Sequence, residues 1–432
     1  MKSHTRVTQG VGAYAVAAVA ILGAMSAPLY AQGKEGFEPV PALPGASLTQ
    51  AALLKGPLHK VAEPVRVEGH LGLFVIESKF GKFSVRGSEL LATRVHEMAA
   101  IAELQKVQSD SAFKDALAKS AAGMASFAVS AVADPGKTAE NIEKGIGTVF
   151  GRVGYAAKSG SDYVSDKAGD VVKPGAKPKA ASTGEPAPPS FTGDPFGYNK
   201  ARREWAQKLN IDPYTSNPVL RPLLDKAASA SFAGNFAVSL TLGAVMAPVQ
   251  YAYSFDDTVR QAIWNKPPID LIKENEAKLI ALGANERTVR DLLRNSWFTP
   301  TLQTGLVTRL SVLGKLEGIE AVVATAAAVQ GESRVRFLLE SLAMLATHHQ
   351  KEGKLAAIRM SNLVPVGVAA DGRVIASLAI DYGTWDKDAA AFAQRQDLAA
   401  KSRTLLVAGK LSPRAAKELE KAGWIVKAGL RA

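Results

Sequence analysis

Cysteine is absent from all 432 residues. Disulfides, thiolate metal sites, cysteine nucleophiles and bacterial lipoprotein anchoring are therefore excluded. Aromatic residues are sparse, at 7%, which favours Ala-rich helical packing over a large β-sandwich. Histidine is scarce: of six, only His59, His70, His96, His348 and His349 lie beyond the N-terminal leader. His348 or His349 with Glu352 would supply two metal ligands, and zinc needs a third. That pair ends a helical pattern, where imidazole suits the helix dipole. No metal and no cofactor is expected. No Gly-x-Ser-x-Gly elbow occurs either, which removes the strained nucleophile turn of α/β-hydrolases.

Long hydrophobic runs number two. The first, Val11 to Met25, spans 15 residues and follows Lys2 and Arg6. A basic leader, a short apolar run and a small-residue region ending near Ala31 predict a secretory signal peptide over 1–31. The second, Ala227 to Tyr253, holds 27 uncharged residues. Ser231, Asn235, Ser239, Gly243 and Ala247 recur there every four residues, a stripe that lets another helix approach closely. The run suffices for a bilayer, but its Ser, Asn, Thr, Gln and Pro content favours a buried helix of a bundle over a membrane span.

Charge is not lacking. Without residues 1–31 the chain carries 50 basic and 40 acidic side chains, a net +10. In an exported protein such a balance fits anionic envelope material: phospholipid, lipopolysaccharide or wall polymer. No nucleic-acid-binding pattern is present.

Along the chain, 32–57 is Pro/Gly/Ala-rich and reads as an irregular extension. Val65-Arg66-Val67-Glu68, Leu71 to Glu77 and Phe83-Ser84-Val85-Arg86, parted by Gly69 and Gly81, predict a small antiparallel sheet. Ser88 then reads as a helix cap. Leu90, Leu91, Arg94, Val95, Met98, Ile101 and Ala102 follow with a helical period, while Glu89, Glu97 and Glu103 take more exposed positions. These features define a sheet-plus-helix unit over 58–157. Segment 158–193 predicts a disordered linker, since Lys173 to Pro189 holds five prolines and no large apolar residue.

An all-α unit spans 194–355. It opens on Tyr198 to Leu209, closed by Asn210, and continues from the Asn217-Pro218 start. Asn285 and Thr299-Pro300 begin further helices, and Gly331 separates a helical hairpin. From 356 to 432 the pattern becomes β-β-α-β-α-β around the turn pair Asp371-Gly372 and the cap Ser412-Pro413. The expected fold class is thus α+β, predominantly helical, with a small N-terminal antiparallel sheet and a small C-terminal α/β domain.

Two catalytic patterns weigh little. Ala131 to Thr138 has a relaxed phosphate-loop spacing, but helix rather than strand precedes it, and Asp134 would repel phosphate. Ser111-Ala112-Phe113-Lys114 has the Ser-x-x-Lys spacing of penicillin-binding enzymes without the companion motifs. The expectation is a non-enzymatic, exported protein of the periplasm, membrane-associated or free. It would bind an anionic or apolar envelope component, or another envelope protein, with Arg202, Arg203 and Lys208 as candidate ligand-binding residues. The alternative is a periplasmic hydrolase with Asp381, Tyr382 and His349 between the helical unit and the C-terminal domain.

Overall fold

The computed structural model of the chain describes residues 36–116, 197–234 and 256–431. The expected signal peptide over 1–31, the expected linker over 158–193, the stretch Ala131 to Thr138 and all of Ala227 to Tyr253 beyond residue 234 lie outside the described residues. The described chain is α+β, with an antiparallel sheet near its N-terminus and a mixed sheet in its C-terminal region.

The first sheet comprises β1 (Ala42–Leu43), β2 (Lys55–Gly56), β3 (His59–Val61), β4 (Val65–Glu68), β5 (Leu71–Ser78) and β6 (Gly81–Arg86). A short helix, α1 (Ala51–Leu54), precedes β2. Strand β5 is the axis: β4 and β3 share one of its edges, and β6 runs along the other. The extension read as irregular contributes β1, α1 and β2. Its two-residue strands are too short to show a period, and their partners in β4 and β3 supply the ordering. Alternation turns Val61, Val65, Val67, Phe74, Ile76, Phe83 and Val85 inward. Helix α2 (Ser88–Ser109) covers that face with Leu91, Met98, Ile101 and Leu104.

The central helices are α3 (Tyr198–Lys208), α4 (Leu220–Gly234), α5 (Asp257–Asn265), α6 (Pro268–Ala281), α7 (Glu286–Arg294), α8 (Pro300–Leu313), α9 (Ile319–Ala328) and α10 (Glu332–Lys351). Their starts follow the sequence. Asn285 Oδ1 accepts from Arg287 N, Thr299 Oγ1 accepts from Leu302 N, and Asn217 Oδ1 accepts from Val219 N and Leu220 N. Asn210 closes α3 in the left-handed region at φ 54°.

The C-terminal sheet contains β7 (Leu355–Ser361), β8 (Val364–Ala369), β9 (Val374–Leu378), β11 (Arg403–Val407) and β13 (Trp424–Lys427), in the order β13-β11-β9-β8-β7. Between them, β10 (Tyr382–Gly383) and β12 (Lys410–Leu411) form a separate parallel pair. The neighbours β7, β8 and β9 run antiparallel, whereas β9, β11 and β13 run parallel. Helices α11 (Lys387–Ala393) and α12 (Pro413–Lys421) make the crossovers. Strand β7 escapes sequence periodicity because a bulge between Leu355 and Ala357 breaks its alternation.

The buried cores cut across the segments read from the sequence. Trp205 of α3, Leu209 just after it, and Leu220 and Leu224 of α4 join the core under the first sheet. Helices α6 to α10 instead share one core with Leu355, Ile358, Ile375 and Leu406 of the C-terminal sheet. The opposite face of that sheet packs Val374, Leu405, Val407 and Trp424 on Ala415 and Leu419 of α12. Leu306, Leu310, Val335, Leu338 and Leu342 are fully buried. Each such side chain stabilises by roughly 1.5–3 kcal/mol relative to exposure.

Candidate functional site

Asp381 stands where three parts of the chain meet. It is fully buried, between β9 and the β10–β12 pair. Its own N–H donates to His70 O at 2.9 Å, and its carbonyl accepts from Lys410 N at 3.0 Å. Its carboxylate accepts from Gly72 N at 2.8 Å and from Ser88 N at 3.2 Å. Arg431 donates to the same carboxylate and reaches Glu340 of α10 through two bonds, of 2.6 and 2.8 Å.

This arrangement closes α2 from a distance. The cap position is Gly87, which has no side chain to accept the free amides of the first turn. Ser88, read as the cap, is instead the first helical residue, and the Asp381 carboxylate takes the capping role 293 positions away. Negative charge at a helix amino end is also favoured by the helix dipole. Burial alone would lower the pKa of Arg431, but the charges of Glu340 and Asp381 hold it well above the usual range. Burial pushes the Glu340 carboxyl up, against the pull of Arg431.

A second buried ionic group joins α2 to α10 and to the loop before α4. Glu97 accepts from Arg94 at 3.0 Å, from Asn217 Nδ2 at 2.8 Å and from Thr215 Oγ1. Glu332 accepts from Arg94 at 3.1 Å, from Ser216 Oγ at 2.7 Å and from Arg336 at 2.8 and 3.0 Å. Burial works against ionised Glu332, yet Arg94 and Arg336 prevail and draw its pKa down to about 2. Nearby, Asp212 Oδ1 accepts from Tyr214 N at 2.8 Å and from Thr301 Oγ1 at 2.5 Å, and burial pushes its pKa up to about 6. Glu89 and Glu97, expected on exposed positions, are therefore interior. Besides Arg94 on α2 itself, their partners lie on α10, where Arg336 stands 3.8 Å from Glu89, and in the loop at 215–217, which helical periodicity within α2 cannot register. The available signal was Arg94, a charge on the apolar side of α2.

The other candidates fall apart spatially. Tyr382 follows Asp381 and packs partly buried against the first core. His349 lies nine residues beyond Glu340 on α10, about 13.5 Å along the helix axis. Its Nδ1 accepts from Leu355 N at 3.1 Å. His349 thus does not join Asp381 and Tyr382. Arg202 and Arg203 point inward: Arg202 lies 2.9 Å from Asp225, and Arg203 Nε donates to Trp264 O at 3.3 Å. Lys208 is exposed, so the three do not share a surface. Ser111 and Lys114 are both exposed and flank buried Phe113.

The histidines serve local contacts. His96 Nε2 lies 2.8 Å from Asn210 O, and burial, aided by Arg260, brings its pKa down to about 4. His348 meets Glu352 at 3.1 Å, and Lys427 meets the same carboxylate at 2.5 Å. Among the described residues, no cluster of three or more His, Asp or Glu side chains could hold a metal ion. Among them, too, no helix is long and apolar enough to cross a membrane. No family model, curated protein or solved structure matches the chain.

Proposed function

We propose that the chain is an exported, non-enzymatic protein of the cell envelope. It works in the periplasm or at a membrane surface, binding an anionic or apolar envelope component or a protein partner. The observation that carries this reading is the saturation of three interior carboxylates. Asp381, Glu97 and Glu332 each accept from three or more groups within the chain. A catalytic carboxylate needs an oxygen within reach of a substrate proton, whereas these tie one segment to another. The leader with Lys2 and Arg6 and the excess of basic residues support the address.

The test is fractionation of the expressed chain, with a carbonate wash and N-terminal sequencing. The expected result is an envelope-fraction protein whose chain starts near Gln32. An uncleaved protein in the cytosol would overturn the proposal.

A further inference from the structure

The first sheet has two faces. One packs on α2; the other is open, and strand register defines its composition. Lys55, Lys60, Glu77 and Lys82 stand opposite one another across β2, β3, β5 and β6 and form one row. Arg66, Leu73 and Arg86 form a second row across β4, β5 and β6. Leu71, Leu73 and Val75 run between and through these rows on β5, half-buried. Side chains of the rows reach solvent: Lys82 is 72% exposed and pairs with Glu77 at 2.8 Å, while Arg66, 66% exposed, and Arg86, 42% exposed, share Glu68 at 3.1 and 3.0 Å. Lys79 adds a further exposed charge at the β5–β6 turn.

Two features of this face point to an anionic partner. Five basic residues, Lys55, Lys60, Arg66, Lys82 and Arg86, share it with two acidic ones, Glu68 and Glu77, which pair with three of them and leave an excess of three positive charges. Lys55 and Lys60 are also direct cross-strand partners, a like-charge pair that is unfavourable and that shares a single carboxylate, Glu77, on the far side of Lys60. The apolar line along β5 narrows the choice further. Adjacent strands lie about 4.8 Å apart, so the lysine row spans roughly 14 Å of the surface. Charged rows around an apolar stripe match a bilayer interface, where phosphates meet lysine and the headgroup–acyl boundary takes leucine and valine.

We propose that this open face docks the protein on an anionic phospholipid bilayer. The inference rests on the envelope reading above and supplies its surface and its partner. Docking leaves the buried ionic ties untouched, since they lie on the other side of the sheet and on α2. Arg202 and Arg203 take no part.

The test uses the full chain in sedimentation with vesicles. One set is equimolar phosphatidylglycerol and phosphatidylcholine; the other is phosphatidylcholine alone. Wild type is expected to sediment with the first set only, and less so at high salt. Each lysine near an anionic surface contributes roughly fivefold to binding. Lys60→Gln with Lys82→Gln should thus weaken binding roughly 25-fold. Lys55→Glu, Lys60→Glu and Lys82→Glu together should weaken it by at least about 100-fold. Lys208→Glu, away from the face, should bind as wild type, and unchanged urea midpoints would show that all variants fold. Equal binding of the neutralised variant and wild type overturns the inference. So does wild type that ignores anionic vesicles, or that binds soluble polyphosphate but no vesicle. A cleaved, periplasmic protein that ignores the vesicles overturns this inference alone. An uncleaved cytosolic protein overturns the envelope reading and the inference with it.

Discussion

Replacing Asp381 by Asn separates a structural tie from a catalytic acid. The substitution keeps the shape and removes one charge and one acceptor oxygen. In the native protein the carboxylate serves Gly72 N, Ser88 N and Arg431 together. The amide retains one oxygen and presents an NH2 group to a donor in place of the other. One buried donor then loses its acceptor, at about 1–3 kcal/mol. The amino end of α2 loses its charged cap, at up to about 1–2 kcal/mol. Arg431 keeps Glu340, which limits the total to about 3–4 kcal/mol, within the range for breaking a buried pair. Urea unfolding followed by circular dichroism reads this directly. With a slope of about 3 kcal/mol per molar, the midpoint should fall by about 1 M. Lys208→Ala, at an exposed position, should stay within about 0.5 kcal/mol of wild type. An Asp381→Asn midpoint within about 0.2 M of wild type would refute the tie and return Asp381 to the candidates for catalysis.

Three further outcomes are expected. His96 is held neutral, with its pKa drawn below the unfolded value of 6.5 to about 4; the native state then binds fewer protons than the unfolded one between these values. Its contribution to stability is therefore lost as pH falls from about 6.5 to 4, by up to about 3 kcal/mol, and the urea-midpoint gap between wild type and His96→Gln should change accordingly across that window. Glu332 is depressed from 4.5 to about 2, so its stabilisation is present above about 4.5 and disappears on further acidification; Glu332→Gln should flatten the loss seen between about pH 4.5 and 2. Gly409→Ala would set a methyl group against the backbone oxygens of Ile380 and Asp381, and should cost about 1–3 kcal/mol of stability or more, as an overpacked site does, read as a fall in the thermal midpoint.

Much of the fold could be read from neighbours in sequence. Asn285, Thr299 and Ser412 accept from amides two or three residues on, so their chemistry is visible in a short window. The hairpin at Asp371-Gly372 is of the same kind, with Gly372 at φ 82°. The junction at Asp381 was only half legible. Its acidic residue after an apolar strand stood out, but its partners at Gly72, Ser88 and Arg431 are separated from it by 309, 293 and 50 positions. Local pattern carries no information at that range. The burial of Arg202 and Arg203 was illegible for a related reason. A guanidinium counts as polar in any period, yet Asp225 lets Arg202 sit in the interior. The open face of the first sheet was recoverable in part from alternation in Val65 to Glu68. Its two charged rows required the register of β2, β3, β5 and β6.

The distance between α2 and its cap also sets an order of assembly. The first sheet and α2 are made early, and Asp381 follows Ser88 by 293 positions. At roughly 5–20 residues per second of synthesis, that interval lasts roughly 15–60 s. Throughout it, α2 has only Gly87 at its amino end, and for most of it Arg94, paired within α2 to Glu97, awaits Glu332. The early third of the polypeptide therefore remains thermodynamically unfinished until nearly all of the rest has been translated.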